Sequence, residues 1–203
     1  MELWSKELLI KSSPYKKGEV LFESATAGTY SVDLAVSGKY EVYVIGGGSG
    51  GATRVSSSRV YLTGGGSGSG FIGVVKLTKG SHSITVGAGG DSMYTQATGT
   101  TTKAGGDSCI SDLITAYGGK ATSIGSDGIG GDVPNITVSV ISTTLNVAGN
   151  NGSSDSSSDD STEYITIAGG ESVYNGYGAG GTTGSGSPRK GTAGYIKIIY
   201  IGG

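Results

Sequence analysis

Residues 38–51 read GKYEVYVIGGGSGG, a stretch in which an apolar strand runs directly into a glycine tract. Tyr40 to Ile45 is apolar except at Glu41, which is typical of a strand covered on both faces. The preceding segment, from Tyr30 to Val36, alternates apolar and polar residues with the period of a half-buried strand. This stretch therefore predicts an all-β chain whose strands continue into glycine tracts.

The same order recurs along the chain. Short apolar strands precede glycine clusters at residues 84–86, 114–117, 164–168 and 195–201. Glycine accounts for 41 of 203 residues but proline for only 3, which excludes collagen and proline-rich spacers. Flexible linkers would lack the interleaved strands, and the irregular spacing argues against a strict solenoid repeat. The glycine tracts are therefore expected to be packed structure.

A chain without Cβ atoms can form an extended helix with three residues per turn, and several such helices can approach closely through N–H···O bonds. We therefore predict a small β-sandwich-like domain over residues 18–203, with glycine tracts packed as polyglycine II helices. Residues 133–168 are expected to form a β-hairpin insert with a polar tip, because strand-like residues flank the stretch AGNNGSSDSSSDDSTE.

Residues 1–17 are predicted to form an N-terminal arm, since helix-like composition stops at Pro14. Its apolar residues are the candidates for docking, either as a cap on the core of the domain or on a partner subunit: Leu3, Trp4, Leu8, Leu9 and Ile10.

Composition excludes several classes of function. The net charge is −2 and no run of Lys or Arg forms a basic stripe, so no nucleic-acid partner is expected. No apolar run reaches the length that crosses a bilayer, and the start lacks the pattern of a signal peptide, so synthesis in a cytoplasm without membrane insertion is expected. A single Cys109 excludes an internal disulfide framework.

No catalytic residue, cofactor or nucleotide site is predicted. Residues 46–51 match G-x-G-x-x-G, but no helical pattern follows and no acidic residue lies about 20 positions further on. A nucleophile pair of Cys109 and His82 is conceivable, but no neighbouring residue orients it, and a core cysteine is the commoner structure. A glycan depolymerase would need paired carboxylates, and Glu163 and Glu171 offer nothing distinctive.

No metal site is predicted, although calcium stays an alternative. Asp127 and Asp132 flank one glycine cluster, and three further aspartates lie in the hairpin tip, but neither group has the ligand spacing of a known calcium loop. A shift of thermal stability with Ca²⁺ and chelator would decide between the alternatives.

Tyrosine is the more informative aromatic residue, with 12 copies against two Phe and one Trp. Tyrosine suits binding surfaces because it brings area and a hydroxyl at low entropic cost, including for stacking on sugar rings. The candidates for contact with a receptor are residues in or beside loops and in the hairpin tip: Tyr61, Tyr94, Asn150, Asn151, Asp155, Asp159, Asp160, Tyr174 and Tyr177.

The order of these phrases resembles the glycine-rich domains of phage tail fibre and related tail proteins. The resemblance rests on KYEVYVIGGGSGGA, FIGVVKLTKGSHSITVGAGG, AGGDSCISDLITAYGGKA, GYGAGG and GTAGYIKIIYIGG, in this order. A similar glycine-rich unit occurs in the ectodomain of the anaplastic lymphoma kinase family. The resemblance implies packed polyglycine II helices and, as in distal tail-fibre adhesins, contact with the host through segments between the tracts.

These observations predict a non-enzymatic virion protein, either a tail fibre tip or a baseplate-associated adhesin. The expected partners are other phage structural proteins and a host surface glycan or envelope protein, and a homo-oligomer is compatible with the sequence. The alternative is a purely structural virion component, such as a capsid decoration or tail assembly protein.

Overall fold

The computed structural model describes residues 14–157, 166–184 and 187–203, which form sixteen strands and no helix. The strands are β1 (Val20–Ser24), β2 (Gly28–Leu34), β3 (Gly38–Ile45), β4 (Ala52–Val55), β5 (Val60–Thr63), β6 (Gly70–Leu77), β7 (Gly80–Val86), β8 (Met93–Thr95), β9 (Ser108–Ile110), β10 (Ile114–Ala116), β11 (Asn135–Ile136), β12 (Val140–Val147), β13 (Ser154–Ser157), β14 (Thr166–Ile167), β15 (Thr183–Gly184) and β16 (Tyr195–Gly202). The predicted all-β class is confirmed.

Two five-stranded sheets pack face to face as a sandwich. The first sheet has the order β1-β16-β3-β6-β12 and the second has the order β11-β10-β9-β7-β2. Alternate residues of each strand enter the shared core, for example Tyr40, Val42 and Val44 of β3 opposite Ile84 of β7 and Ile110 of β9. All five side chains have 0% of their surface exposed. The strand with apolar residues on both faces, β3, is thus the centre of the sandwich.

Ten glycine-containing segments extend from the sandwich to a second, smaller group of strands. These segments, together called the lattice, are 46–51, 64–70, 87–91, 103–107, 117–120, 128–131, 149–153, 168–171, 178–182 and 189–194. Segment 46–51 leaves the sandwich at the end of β3, and segment 64–70 returns to it at the start of β6. The chain therefore passes through the lattice in both directions.

Segment 46–51 lies at the centre of six neighbouring segments. Its N–H groups donate in rotation: Gly46 and Ser49 to segment 64–70, Gly47 and Gly50 to segment 103–107, and Gly48 and Gly51 to segment 189–194. Its carbonyls accept from segments 117–120, 87–91 and 178–182. Donation to the same neighbour at every third residue is the pattern of a helix with three residues per turn. The predicted polyglycine II packing is therefore present in this segment.

Segment 64–70 is a second centre with six neighbours, namely 46–51, 117–120, 128–131, 149–153, 168–171 and 178–182. The other eight segments close a ring around the two centres, and backbone hydrogen bonds join each to the next in chain order, with 189–194 returning to 87–91. Two adjacent points of a hexagonal array have eight outer neighbours. The lattice is therefore a complete hexagonal unit of ten helices.

The interior of the lattice contains almost no side chains. At Gly48, an added Cβ would overlap the carbonyl of Ala179, and at Gly65 it would overlap that of Ser49. The side chain of Ser49 fits because its Oγ takes part in backbone bonding: it accepts the N–H of Gly66 at 2.8 Å and donates to the Gly66 carbonyl at 3.3 Å. Glycine is thus required for close approach of the backbones.

The structure differs from the expected hairpin insert and does not describe the expected docking residues. The described part of residues 133–168 forms no separate hairpin, because β12 pairs with β6, β13 with β5 and β14 with β15. These strands pair with strands distant in sequence because the lattice, not a local turn, positions them. The docking candidates Leu3, Trp4, Leu8, Leu9 and Ile10 lie outside the described residues. The following Tyr15 packs against Tyr200 in the sandwich, with ring centroids 5.4 Å apart.

Candidate functional site

Five loops lie at the end of the lattice that faces away from the sandwich, and we call them the tip. They are 52–63, 92–102, 121–127, 154–167 and 183–188, of which residues 158–165 and 185–186 lie outside the described residues. Each loop connects one lattice segment that runs away from the sandwich to one that returns. Because the segments are fixed in the lattice, all five loops have defined starting and ending points.

Hydrogen bonds tie the tip loops to one another. A four-stranded sheet with the order β13-β5-β4-β8 combines loops 154–167, 52–63 and 92–102. A two-stranded sheet of β14 and β15 joins loop 154–167 to loop 183–188. Thr53 Oγ1 lies 2.9 Å from Thr183 Oγ1, with both side chains buried. The N–H of Gly125 donates to Thr63 Oγ1 at 2.7 Å. Each loop is therefore bonded to at least one other, and the tip is a single surface.

Tyr61 and Tyr94 both belong to the tip sheet but face in opposite directions. The guanidinium of Arg54 lies 4.0 Å from the centroid of the Tyr61 ring, as expected for a cation–π contact between cross-strand neighbours. Tyr94 pairs with Thr53, the residue next to Arg54, so it lies on the other face of the sheet. Tyr61 is half-buried, whereas 56% of Tyr94 is exposed. Of the two predicted contact residues, Tyr94 is the accessible one.

Tyr174 and Tyr177 lie at the sandwich end of the lattice, not at the tip. They flank a tight turn in which Asn175 and Gly176 have φ values of 46° and 82°, as a type I′ turn requires. The Tyr177 ring stacks on Tyr195 of β16 at 4.4 Å, and Tyr174 contacts Tyr43 of β3 at 5.5 Å. The structure brings these four tyrosines together as a packed cluster that fixes the turn to the first sheet.

This cluster is linked to a charged pair. The Tyr195 hydroxyl donates to Glu23 Oε1 at 2.7 Å, and Lys197 Nζ lies 3.2 Å from Glu23 Oε2. These two hydrogen bonds lower the pKa of Glu23. Burial, together with the Glu23 carboxylate, raises the pKa of Tyr195. Burial also raises the pKa of Tyr43. The protonated phenols are therefore structural donors at neutral pH.

The asparagine candidates belong to the lattice rim. Asn150 Nδ2 donates to the Glu171 carbonyl at 2.9 Å, and Asn151 Oδ1 accepts the N–H of Gly130 at 3.0 Å. Asp155, which is half-buried in β13, accepts the N–H of Ser156 at 2.7 Å. Asp159 and Asp160 lie outside the described residues. Asn150 and Asn151 thus hold segment 149–153 to its neighbours and do not form a common surface with Tyr94.

The described residues offer no assembled catalytic or metal site. His82 is buried and its Nε2 lies 2.9 Å from the Thr78 carbonyl, on the core face of β7 that also holds Ile84. Cys109 pairs with Thr85, on the opposite face of the same sheet, so the sheet separates the two side chains. No three His, Cys, Asp or Glu residues of the described ranges are grouped for a metal ion.

The aspartates considered for calcium have other partners. Asp127 accepts a hydrogen bond from Ser154 Oγ at 2.7 Å, and Asp132 forms an ion pair with Lys120 at 2.6 Å. Within the described ranges, no helix is long and apolar enough to span a membrane.

The sequence pointed to Tyr94 and Asp127, but it did not identify Arg54, nor the loops 92–102 and 121–127 as parts of one surface. In the sequence, these loops are marked by their position, because each lies between two glycine clusters. A family model described as a glycine-rich domain matches residues 24–203, a range that includes the lattice, the tip and all strands of the sandwich after β1. A search of curated proteins finds no match.

Proposed function

The chain belongs to the glycine-rich domain family, and we propose that it is a non-enzymatic phage tail protein that contacts the host cell surface through its tip. In this proposal it acts as a tail fibre tip or a baseplate-associated adhesin, and its place is the virion. The sandwich end attaches to other structural proteins of the virion. The ligand is a glycan or a protein of the host envelope.

The observation that supports this proposal most directly is the opposite placement of the tip and the chain entry. Tyr15, the first described aromatic residue, packs against Tyr200 and accepts the N–H of Ala35 at 2.7 Å, so the chain enters at the sandwich. The lattice separates this entry from the five tip loops. An attachment at the sandwich would therefore leave the tip free to meet another surface.

The composition of the tip also suits recognition of a surface. Loop 92–102 reads SMYTQATGTTT and has no charged side chain, while loop 121–127 has only Asp127. Hydroxyl-rich loops with an exposed tyrosine resemble the chemistry of antibody paratopes, where tyrosine supplies contact area and small polar residues supply hydrogen bonds. Tyr94 is the exposed aromatic side chain in loop 92–102. It is the residue that we expect to contribute most to binding.

Binding of labelled purified protein to bacterial cells tests the proposal. The protein should bind cells of a susceptible strain and should reduce adsorption of the corresponding phage in competition. Tyr94→Ala should weaken binding about 10-fold or more, since buried aromatic anchors dominate interface energetics. Val20→Ala is the matched control, because Val20 is similarly exposed, at 45%, but lies at the sandwich.

Two outcomes would contradict the proposal. A protein that neither binds any susceptible envelope nor competes with adsorption would be a structural virion component instead. Equal loss of binding in Tyr94→Ala and Val20→Ala would place the contact away from the tip. Circular dichroism and thermal unfolding of both variants establish that each remains folded.

A further inference from the structure

One long sheet edge of the sandwich has no pairing strand among the described residues. β12 is the last strand of the first sheet and pairs with β6 on one side. About every second residue of this eight-residue strand directs its backbone N–H and C=O groups to the other side. Unpaired edges of this kind are templates for a further strand, and natural proteins usually protect them with charges, prolines or short length.

The β12 edge lacks charged protection. Residues 133–154 contain no ionisable side chain, a stretch that includes all of β12. Its exposed apolar side chains include Val140, Ile141 and Val147, with 41%, 45% and 37% of their surface exposed. Two register irregularities opposite β6 add twist, but they leave the strand continuous over all eight residues. The edge therefore combines free backbone groups with an apolar, uncharged surface.

The other outer strands of the two sandwich sheets differ from β12. β1 contains Glu23, which forms an ion pair with Lys197, and β2 contains the exposed Asp33. β11 has only two residues. Charge or short length thus protects three of the four sandwich edges. The exception at β12 indicates that this edge is used for pairing.

We propose that β12 pairs antiparallel with β12 of a second copy of this chain. In a two-fold contact, a charge near the middle of an edge meets its own copy close by, which disfavours pairing of charged edges. The uncharged β12 edge avoids this repulsion, whereas a charged strand from another protein would find no counter-charge on it. The pairing joins two first sheets into one ten-stranded sheet.

The pairing has a defined geometry. β12 runs from the sandwich towards the lattice, because segment 149–153 follows it. Antiparallel pairing reverses this direction in the second copy, so the two tips lie at opposite ends of the dimer. Both tips therefore remain accessible, and the proposal is independent of whether they bind a host surface.

Sedimentation velocity over a range of protein concentrations tests the association. Wild-type protein should show a monomer–dimer equilibrium, and Thr143→Lys should weaken it at least about 10-fold, since Thr143 lies at the middle of β12, where the two-fold places the two added charges near each other. Thr29→Lys is the matched control, because it adds the same charge at an exposed position of β2. It should leave the association unchanged. A wild-type protein that stays monomeric at 1 mM would overturn the proposal.

Single cysteines in a Cys109→Ser background test the strand direction. Thr143→Cys lies at the middle of β12 and should form disulfide-linked dimers under mild oxidation. Val140 and Asn146 share a face with Thr143, because all three pair with alternate residues of β6. Val140 and Asn146 lie more than about 13 Å apart along the strand, well beyond disulfide reach, so Val140→Cys and Asn146→Cys should each cross-link poorly alone but efficiently when the two are mixed. Efficient self-linkage at both end positions would contradict the antiparallel pairing.

Discussion

Replacement of Gly48 by alanine should strongly destabilise the protein, although it adds only one methyl group. Gly48 lies in the central lattice segment and is buried. An added Cβ would overlap the carbonyl of Ala179 and the carbonyl oxygen of Gly178. Both obstacles are backbone atoms of another segment, so rotation of a side chain cannot relieve the overlap. One lattice segment must therefore move away from its neighbour.

The expected cost follows from the contacts of Gly48. Overpacking of a close-packed interior costs about 1–3 kcal/mol. Movement of the segment also weakens two hydrogen bonds, from Gly48 N–H to Thr192 at 3.0 Å and from Gly90 N–H to Gly48 at 2.8 Å, each worth about 1 kcal/mol. Alanine also lowers the conformational entropy of the unfolded chain, which offsets about 0.4–1 kcal/mol of the loss in stability. These contributions sum to a net loss of about 2–5 kcal/mol. We expect about 4 kcal/mol, because both obstacles are backbone atoms that cannot rotate away.

Urea unfolding followed by circular dichroism measures this loss, and thermal unfolding should show a midpoint about 8–16 °C lower. Ala88→Leu is the control, because it adds more volume at an exposed position of segment 87–91. We expect this control to change stability by no more than about 0.5 kcal/mol. If Gly48→Ala costs less than about 1 kcal/mol, or no more than Ala88→Leu, the tight packing of the lattice backbones is refuted.

Three further substitutions test other parts of the structure. Ser49→Ala should cost about 2 kcal/mol in urea unfolding, because it leaves the buried N–H of Gly66 without its acceptor; Ser31→Ala, which removes an exposed hydroxyl from β2, is the control. Gly176→Ala should lower thermal stability by about 1–2 kcal/mol through its φ of 82° alone, since nothing lies within 4 Å of the added Cβ. The pKa of Glu23 in the folded protein lies below its ordinary value of 4.5, so the ionised carboxylate stabilises the fold at pH values above 4.5. This contribution is lost as the pH falls through the folded-state pKa. Glu23→Gln should therefore flatten the decline of stability between neutral pH and pH 3, and an unchanged decline would show that other carboxylates cause it.

The strands of the sandwich could be predicted from sequence because their periodicity reflects burial on one or both faces. The apolar run of β3 and the alternation of β2 both identify strands that the structure contains. The pairing of β12 with β6 could not be predicted, because about 70 residues separate the two strands and no local turn joins them. Long-range register of this kind depends on how the lattice returns the chain to the sandwich.

A more detailed signal for the lattice is present in the sequence. The pattern X-Gly-Gly-X occurs in six ring segments, at Ala88–Asp91, Ala104–Asp107, Tyr117–Lys120, Ile129–Asp132, Ala168–Glu171 and Ala179–Thr182. In a helix with three residues per turn, the two X residues point in one direction and the glycines point elsewhere. The structure exposes many of these X positions and places the glycines towards neighbouring segments. The central segment 46–51 has the same pattern at Ser49–Ala52, but both X residues are small and buried, because no direction around this segment is open.

The position of the tyrosines shows where sequence reasoning ends. Tyr94 and Tyr174 both lie in short segments between glycine clusters, yet one is at the exposed tip and the other is packed against Tyr43. The difference depends on whether the chain is leaving the sandwich or returning to it. That alternation is a property of the whole lattice, and no local window of sequence contains it.

The lattice also explains how a chain with a small apolar core can hold five loops in one arrangement. Ordering glycine costs more backbone entropy than ordering other residues, so a single tract would stay unfolded. In the hexagonal unit, each central segment shares hydrogen bonds with six others, and loss of one segment weakens all of its neighbours. Because backbone atoms supply this stability, exposed tip side chains such as Tyr94 contribute little to it. Their substitution should therefore change binding without unfolding the domain, whereas a single methyl group at Gly48 should do the reverse.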